Sequence, residues 1–186
     1  MRLIHCTQKL FKELGNPPCQ SPDASLVIQG LGNWYANLLR IDRRKCILFT
    51  NEKTLYSFLI PKVKKENLRN IIDEFLLNLN MNLQAEGFPL EVINRVMQEY
   101  TDMGFAKTAN RQVLGVMNDF AYAFEFDIVR AGGLDRIRIL QINKQVNRTP
   151  SSPLKYKYPI DKIQDFLERD SRDIRRGRVQ PSPTSK

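Results

Sequence analysis

Chemistry in this chain is concentrated in one polar cluster. Lys107-Thr108-Ala109-Asn110-Arg111 stand together, and Gly115, Asn118 and Asp119 follow at helical spacing. Arg111, Gly115 and Asp119 fall at i, i+4 and i+8 and so share one helix face, while Asn110, Leu114 and Asn118 form the neighbouring row. A helix opening beside Lys107 and Arg111 suits a phosphate or carboxylate. The same residues also have an ordinary structural reading. Thr108 or Asn110 would cap the helix, Arg111 and Asp119 would join an ion network, and a neighbouring element would pack at Gly115. A helix-interior glycine costs ~1 kcal/mol relative to alanine, so the spacing predicts that something packs there or that Gly115 floors a notch. Glu52, in the turn Asn51–Thr54, is expected to face this cluster across the sheet edge. With Asp119 it would supply the two carboxylates of a small hydrolase or nuclease, with Lys107 and Arg111 stabilising developing negative charge.

Other chemistries are excluded by what the chain lacks. His5 is the single histidine, so no multi-histidine metal set can form. The three cysteines, Cys6, Cys19 and Cys46, lack the paired spacing of zinc folds and match reduced thiols better than a disulfide framework. His5 and Cys6 are strand neighbours and point to opposite faces, which argues against a Cys–His catalytic pair. There is no G-x-S-x-G elbow, no G-x-x-x-x-G-K-[ST] loop and no G-x-G-x-x-G; Gly30-Leu31-Gly32 reads as a turn before Trp34. No metal and no cofactor is implied.

The elements that must position the cluster follow from periodicity. Residues 2–6 read as a strand and Thr7 as the cap of a short helix ending at Gly15. Residues 34–60 read as an antiparallel meander, apolar and aromatic runs separated by Asp42-Arg43-Arg44 and Asn51-Glu52-Lys53 and stopped at Pro61. Leu68, Ile71, Ile72, Phe75, Leu76, Leu79 and Leu83 form one helical stripe. Pro89 opens a second helix through Ile93, Val96, Met97, Tyr100 and Met103, closed by Gly104. A third runs from about Asn110 to Asp127 with Leu114, Met117, Ala121 and Phe124 inward. Residues 134–147 fit both periods, Ile137 and Ile139 alternating as in a strand and Leu134, Ile137 and Leu140 keeping helical spacing. Helix is preferred because Asn147-Arg148-Thr149-Pro150 supplies an ending, and Pro159 opens a last helix through Ile163, Phe166 and Leu167. The fold class is α+β: a small antiparallel sheet covered by several helices, with residues 1–169 as a single domain and 170–186 as a disordered basic tail.

Charge divides the chain unevenly. The formal net charge is +9 over 186 residues, of which residues 130–186 hold +8 and residues 1–129 only +1. This asymmetry suits an anionic partner, with nucleic acid contacted through residues 130–186. Lys155-Tyr156-Lys157-Tyr158 alternates base and aromatic, as a stacking surface does, or anchors the following helix by packing. No apolar run reaches the length of a membrane span, and the N-terminus lacks a signal-peptide core. The expectation is a cytoplasmic chain without a membrane partner.

Two blocks carry a resemblance: Cys46-Ile47-Leu48-Phe49-Thr50-Asn51-Glu52-Lys53-Thr54-Leu55 and Lys107-Thr108-Ala109-Asn110-Arg111-Gln112-Val113-Leu114-Gly115-Val116-Met117-Asn118-Asp119. They resemble an uncharacterised bacterial family, a domain of unknown function, with F-x-N-E-x-T-L and K-T-x-N-R-x-V-L-G-x-M-N-D patterns over about residues 1–170. Ile4-His5-Cys6-Thr7-Gln8-Lys9-Leu10 matches as well. Gln112 and Val116 stand where the family pattern has serines. A block similar to the second occurs in passenger proteins of plasmids and insertion elements, which implies a link to mobile elements and no particular activity. The leading reading is a non-catalytic binding or regulatory module acting on nucleic acid or a protein partner. The carboxylate hydrolase is the alternative.

Overall fold

Alternation along Trp34–Ile41 and Arg44–Asn51 splits the two central strands between two cores. In the computed structural model, residues 1–20, 30–108 and 110–175 are described, with the side chains of 170–175 left aside. The strands are β1 (Arg2–Cys6), β2 (Trp34–Ile41), β3 (Arg44–Asn51), β4 (Ser57–Ile60) and β5 (Met103–Lys107). The helices are α1 (Gln8–Glu13), α2 (Lys65–Arg69), α3 (Ile71–Ala85), α4 (Leu90–Gln98), α5 (Arg111–Arg130), α6 (Ile139–Val146) and α7 (Pro159–Arg175). The fold is α+β.

The sheet runs β4-β3-β2-β1-β5. The meander β2-β3-β4 is antiparallel as expected, but β1 pairs in parallel with both β2 and β5, so the sheet is mixed, not wholly antiparallel. The strand β5 was hidden because Gly104 reads as a helix terminator. Its glycine answers a different demand: a Cβ there would meet Gln20 Cγ at 2.9 Å, since residues 19–20 lie against the outer edge of β5. The stripe beginning at Leu68 is divided at Asn70, whose φ of −112° separates α2 from α3.

One face of the sheet packs Trp34, Phe49 and Phe58 on Phe75 and Tyr100, with ring centroids 5.1–5.9 Å apart. The other packs Tyr35, Leu48 and Leu59 on α5 and α6. On α5 the inward row is Val113, Val116, Met117, Phe120, Phe124 and Ile128; Leu114 and Ala121 flank it. At the β4 edge, α6 closes the ladder with side chains. The Ser57 and Leu59 amides donate to Asn147 Oδ1 (2.7 Å) and Asn143 Oδ1 (3.0 Å), and Asn147 Nδ2 donates back to the Ser57 carbonyl (2.6 Å). The Ser57 amide and carbonyl and the Leu59 amide are thereby withheld from pairing with another strand. The last helix continues to Arg175, beyond the end expected at 169, and the remainder of the expected tail, residues 176–186, lies outside the described residues.

Candidate functional site

The chain leaves β1 and β5 in opposite directions. After Cys6 it turns into α1, whose Leu10 and Phe11 pack with Trp34 on one face of the sheet. After Lys107 it turns into α5, whose Val113 and Met117 pack with Tyr35 on the other. Two adjacent parallel strands whose successors diverge leave a crevice beyond their carboxyl ends, the place where open α/β sheets hold ligands. A cavity of about 350 Å³ lies there, lined by Cys6, Gln8, Phe11, Lys12, Asn16, Lys107 and Thr108. Its two charged side chains, Lys12 and Lys107, are both exposed and make no ion pair among the described residues. Cys6 is buried, and burial pushes its thiol up to about 12, so the sulfur stays protonated near neutral pH. Cys46 is raised for the same reason and sits in the opposite core, so the cysteines do not converge.

Beside the crevice, on the α5 face, lies a polar row. The His5 ring stacks on Tyr35 with centroids 4.7 Å apart and is only 6% exposed. His5 Nδ1 lies 3.2 Å from the Lys107 carbonyl oxygen. A carbonyl only accepts, so Nδ1 carries the hydrogen of this contact. The Tyr35 hydroxyl accepts from the Asn110 amide at 3.3 Å, and the Thr7 hydroxyl donates to Asn37 Oδ1 at 3.0 Å. Asn110 is the helix cap: its Oδ1 accepts from the Gln112 and Val113 amides at 3.0 and 3.3 Å.

The expected cluster is therefore only partly assembled. Lys107, Asn110 and Arg111 gather where β5 passes into α5. Asn118 and Asp119 lie on the solvent side of α5, roughly 12 Å further along its axis from Arg111. Gly115 is exposed, and a Cβ there would meet nothing within 4 Å, so no other element packs against it among the described residues. Glu52 does not face the cluster. Its amide donates to the Asn33 carbonyl at 3.1 Å, at the other end of the sheet. The ladder Lys107–Cys6–Ala36–Phe49 puts Glu52 three residues of register and three strand spacings away, the latter about 14 Å. Glu52 and Asp119 share no cleft. Among the described residues, no three His, Cys, Asp or Glu side chains stand together as metal ligands.

Sequence reasoning passed over Lys12 and Gln8, and it read Thr108 as a candidate helix cap and not as part of a crevice wall. The signal that would have found them was β5 itself, since a second strand-to-helix passage alongside β1 defines the crevice.

A family model described as Domain of unknown function (DUF6933) matches residues 3–162. The chain belongs to this family. No curated protein matches the chain significantly. The matched span takes in β2 to β5, β1 from Leu3 onward and every residue lining the crevice, and it ends in the first turn of α7. No helix among the described residues is long and apolar enough to cross a membrane.

Proposed function

We propose that this DUF6933 chain is a non-catalytic binding module that takes a small phosphate- or carboxylate-bearing ligand in the crevice beyond β1 and β5. The observation that carries this reading is the crevice itself: it lies at a topological switch point, and its lining holds two lysines and no acid. Its volume of about 350 Å³ is that of a small-molecule site. Thr108, Gln8 and Asn16 supply neutral hydrogen-bonding groups for orientation. The protonated Cys6 thiol and the separated carboxylates give no nucleophile or acid–base pair at the site. A thermal-shift screen against phosphate- and carboxylate-bearing metabolites tests this. The expected result is a hit whose shift disappears in the Lys12→Ala/Lys107→Ala variant while the unliganded midpoint is unchanged. A hit that survives both substitutions places the ligand elsewhere.

A second reading, single-stranded nucleic acid bound by the basic C-terminal third, is favoured by Lys155–Tyr158. Tyr156 is 75% exposed and Tyr158 is also exposed, so these rings do not anchor the turn by packing. Lysines flanking open aromatic rings suit base stacking with phosphate contact. Anisotropy with a labelled oligonucleotide, with and without Tyr156→Ala, measures it; salt-insensitive binding or none at low salt counts against it.

A further inference from the structure

Two apolar surfaces are left uncovered by the described residues, and they are complementary to each other. On the outer side of α5, Tyr122, Phe126 and Val129 are 73%, 65% and 65% exposed and form one stripe at i, i+4 and i+7. Between Arg111 and Arg130 every charged residue of this helix is acidic: Asp119, Glu125 and Asp127. Asp119 and Glu125 flank the stripe, are exposed, and make no ion pair among the described residues. The second surface is an open groove of about 890 Å³ between α3 and α6, floored by Met81, Ala85, Ile139 and Leu140. Its charged lining is wholly basic: Arg138, Lys144 and Arg148. Glu86, the acid nearest by, is fully buried against Arg148 at 2.7 Å and is spent there. Arg138 is exposed and has no ion-pair partner among the described residues.

We infer that the chain self-associates, with the outer face of α5 from one copy lying in the α3–α6 groove of a second copy. The mode is that of an amphipathic helix in a groove, in which residues at i, i+4 and i+7 anchor and rim charges set the register. The stripe would bring Tyr122 and Phe126 onto Met81 and Leu140, and Asp119 and Glu125 toward Arg138 and Lys144. Because α6 packs against both α3 and α5, donor helix and groove are neighbours on each copy. A two-fold pair can then exchange helices reciprocally and close, which makes the dimer the smallest closed form. Residues 176–186 are a poor occupant of the same groove, since they bring three cations and no acid to a basic rim.

Sedimentation velocity on the full chain tests this. The expected result is a concentration-dependent dimer in the micromolar range. Phe126→Glu on the helix and Met81→Lys in the groove should each give monomer, and neither should lower the thermal midpoint below that of the unsubstituted chain diluted to its monomer, because both side chains are substantially exposed. Reversing one rim charge, Arg138→Glu or Glu125→Arg, should weaken the dimer by about tenfold, and the double reversal should recover most of that loss. A chain that stays monomeric at high micromolar concentration overturns the proposal. So does a Met81→Lys variant that remains dimeric while Phe126→Glu does not, since α5 would then be pairing with itself.

Discussion

At the amino end of β1 the Leu3 amide donates to Asn33 Oδ1 at 3.0 Å, and the side chains of Asn51, Trp34 and Tyr100 nearby are similarly engaged. Asn51, fully buried, donates to the Leu31 carbonyl (3.0 Å) and accepts from the Lys53 amide (3.1 Å), the Thr54 amide (3.0 Å) and the Thr54 hydroxyl (3.0 Å). Trp34 Nε1 donates to the Tyr100 hydroxyl at 2.7 Å, which donates onward to the Gly32 carbonyl at 3.1 Å. At the carboxyl end of the same strand, Lys12 and Lys107 stand open at a crevice. Both ends are rich in polar residues. Those at the amino end satisfy backbone, and such groups are bound to the fold because stripping one leaves buried partners unmet. The lysines at the carboxyl end satisfy nothing among the described residues. Polarity without an internal partner is the better guide to a site than polarity alone.

The strongest way to break this contrast is Asn51→Ala. It removes the partners of four buried or half-buried groups and should destabilise the chain by about 3–5 kcal/mol. Lys107→Ala at the opposite end should change stability by no more than ~0.5 kcal/mol. Urea denaturation of the two variants side by side measures the difference, and equal losses would show that the carboxyl end is as structural as the amino end.

A smaller effect sharpens the comparison at the β4 edge. Asn147 is fully buried, and its amide group serves both the N–H and the C=O of Ser57. Asn147→Ala should cost about 2–3 kcal/mol, since those backbone groups lose their partner and gain no water. Hydrogen exchange at the Ser57 amide should quicken by more than at Leu59, whose partner is Asn143. Equal quickening at both would mean that α6 detaches as a unit and that Asn147 does not act alone.

What was legible in the sequence was what periodicity encodes. The meander, the long stripe of α3 and the start of α5 at Asn110 follow from alternation, helical spacing and a capping residue. Long-range pairing is not encoded that way. Nothing in Met103-Gly104-Phe105-Ala106-Lys107 signals a strand locally, because its strand state depends on β1 on one side and Gln20 on the other. With β5 unseen, β1 had no parallel partner, the crevice had no second wall, and Lys12 had no reason to be singled out. The placement of Glu52 failed for the same reason, since which end of a sheet a turn occupies is set by strand order. Asn143 and Asn147 are a related case: on a helix, i and i+4 asparagines look like solvated polar residues until an edge strand is laid beneath them.

The smallest expected effect concerns Gly115. Its place among Arg111, Asn118 and Asp119 led to the expectation that an element packs against it, in which case an added methyl would cost ~1–3 kcal/mol. The open space around its Cβ position reverses the sign. In an exposed helix interior, Gly115→Ala removes backbone freedom from the unfolded chain and should stabilise by ~1 kcal/mol. Because Gly115 continues the outer face of α5, the measurement belongs in the Phe126→Glu background, where self-association is absent and helix propensity is read alone. In that background Gly115→Ala should raise the denaturant midpoint and leave ligand binding at the β1–β5 crevice unchanged. A lowered midpoint would place another part of the chain against this turn of α5. A raised midpoint with lost ligand binding would move the site from the crevice onto the helix face.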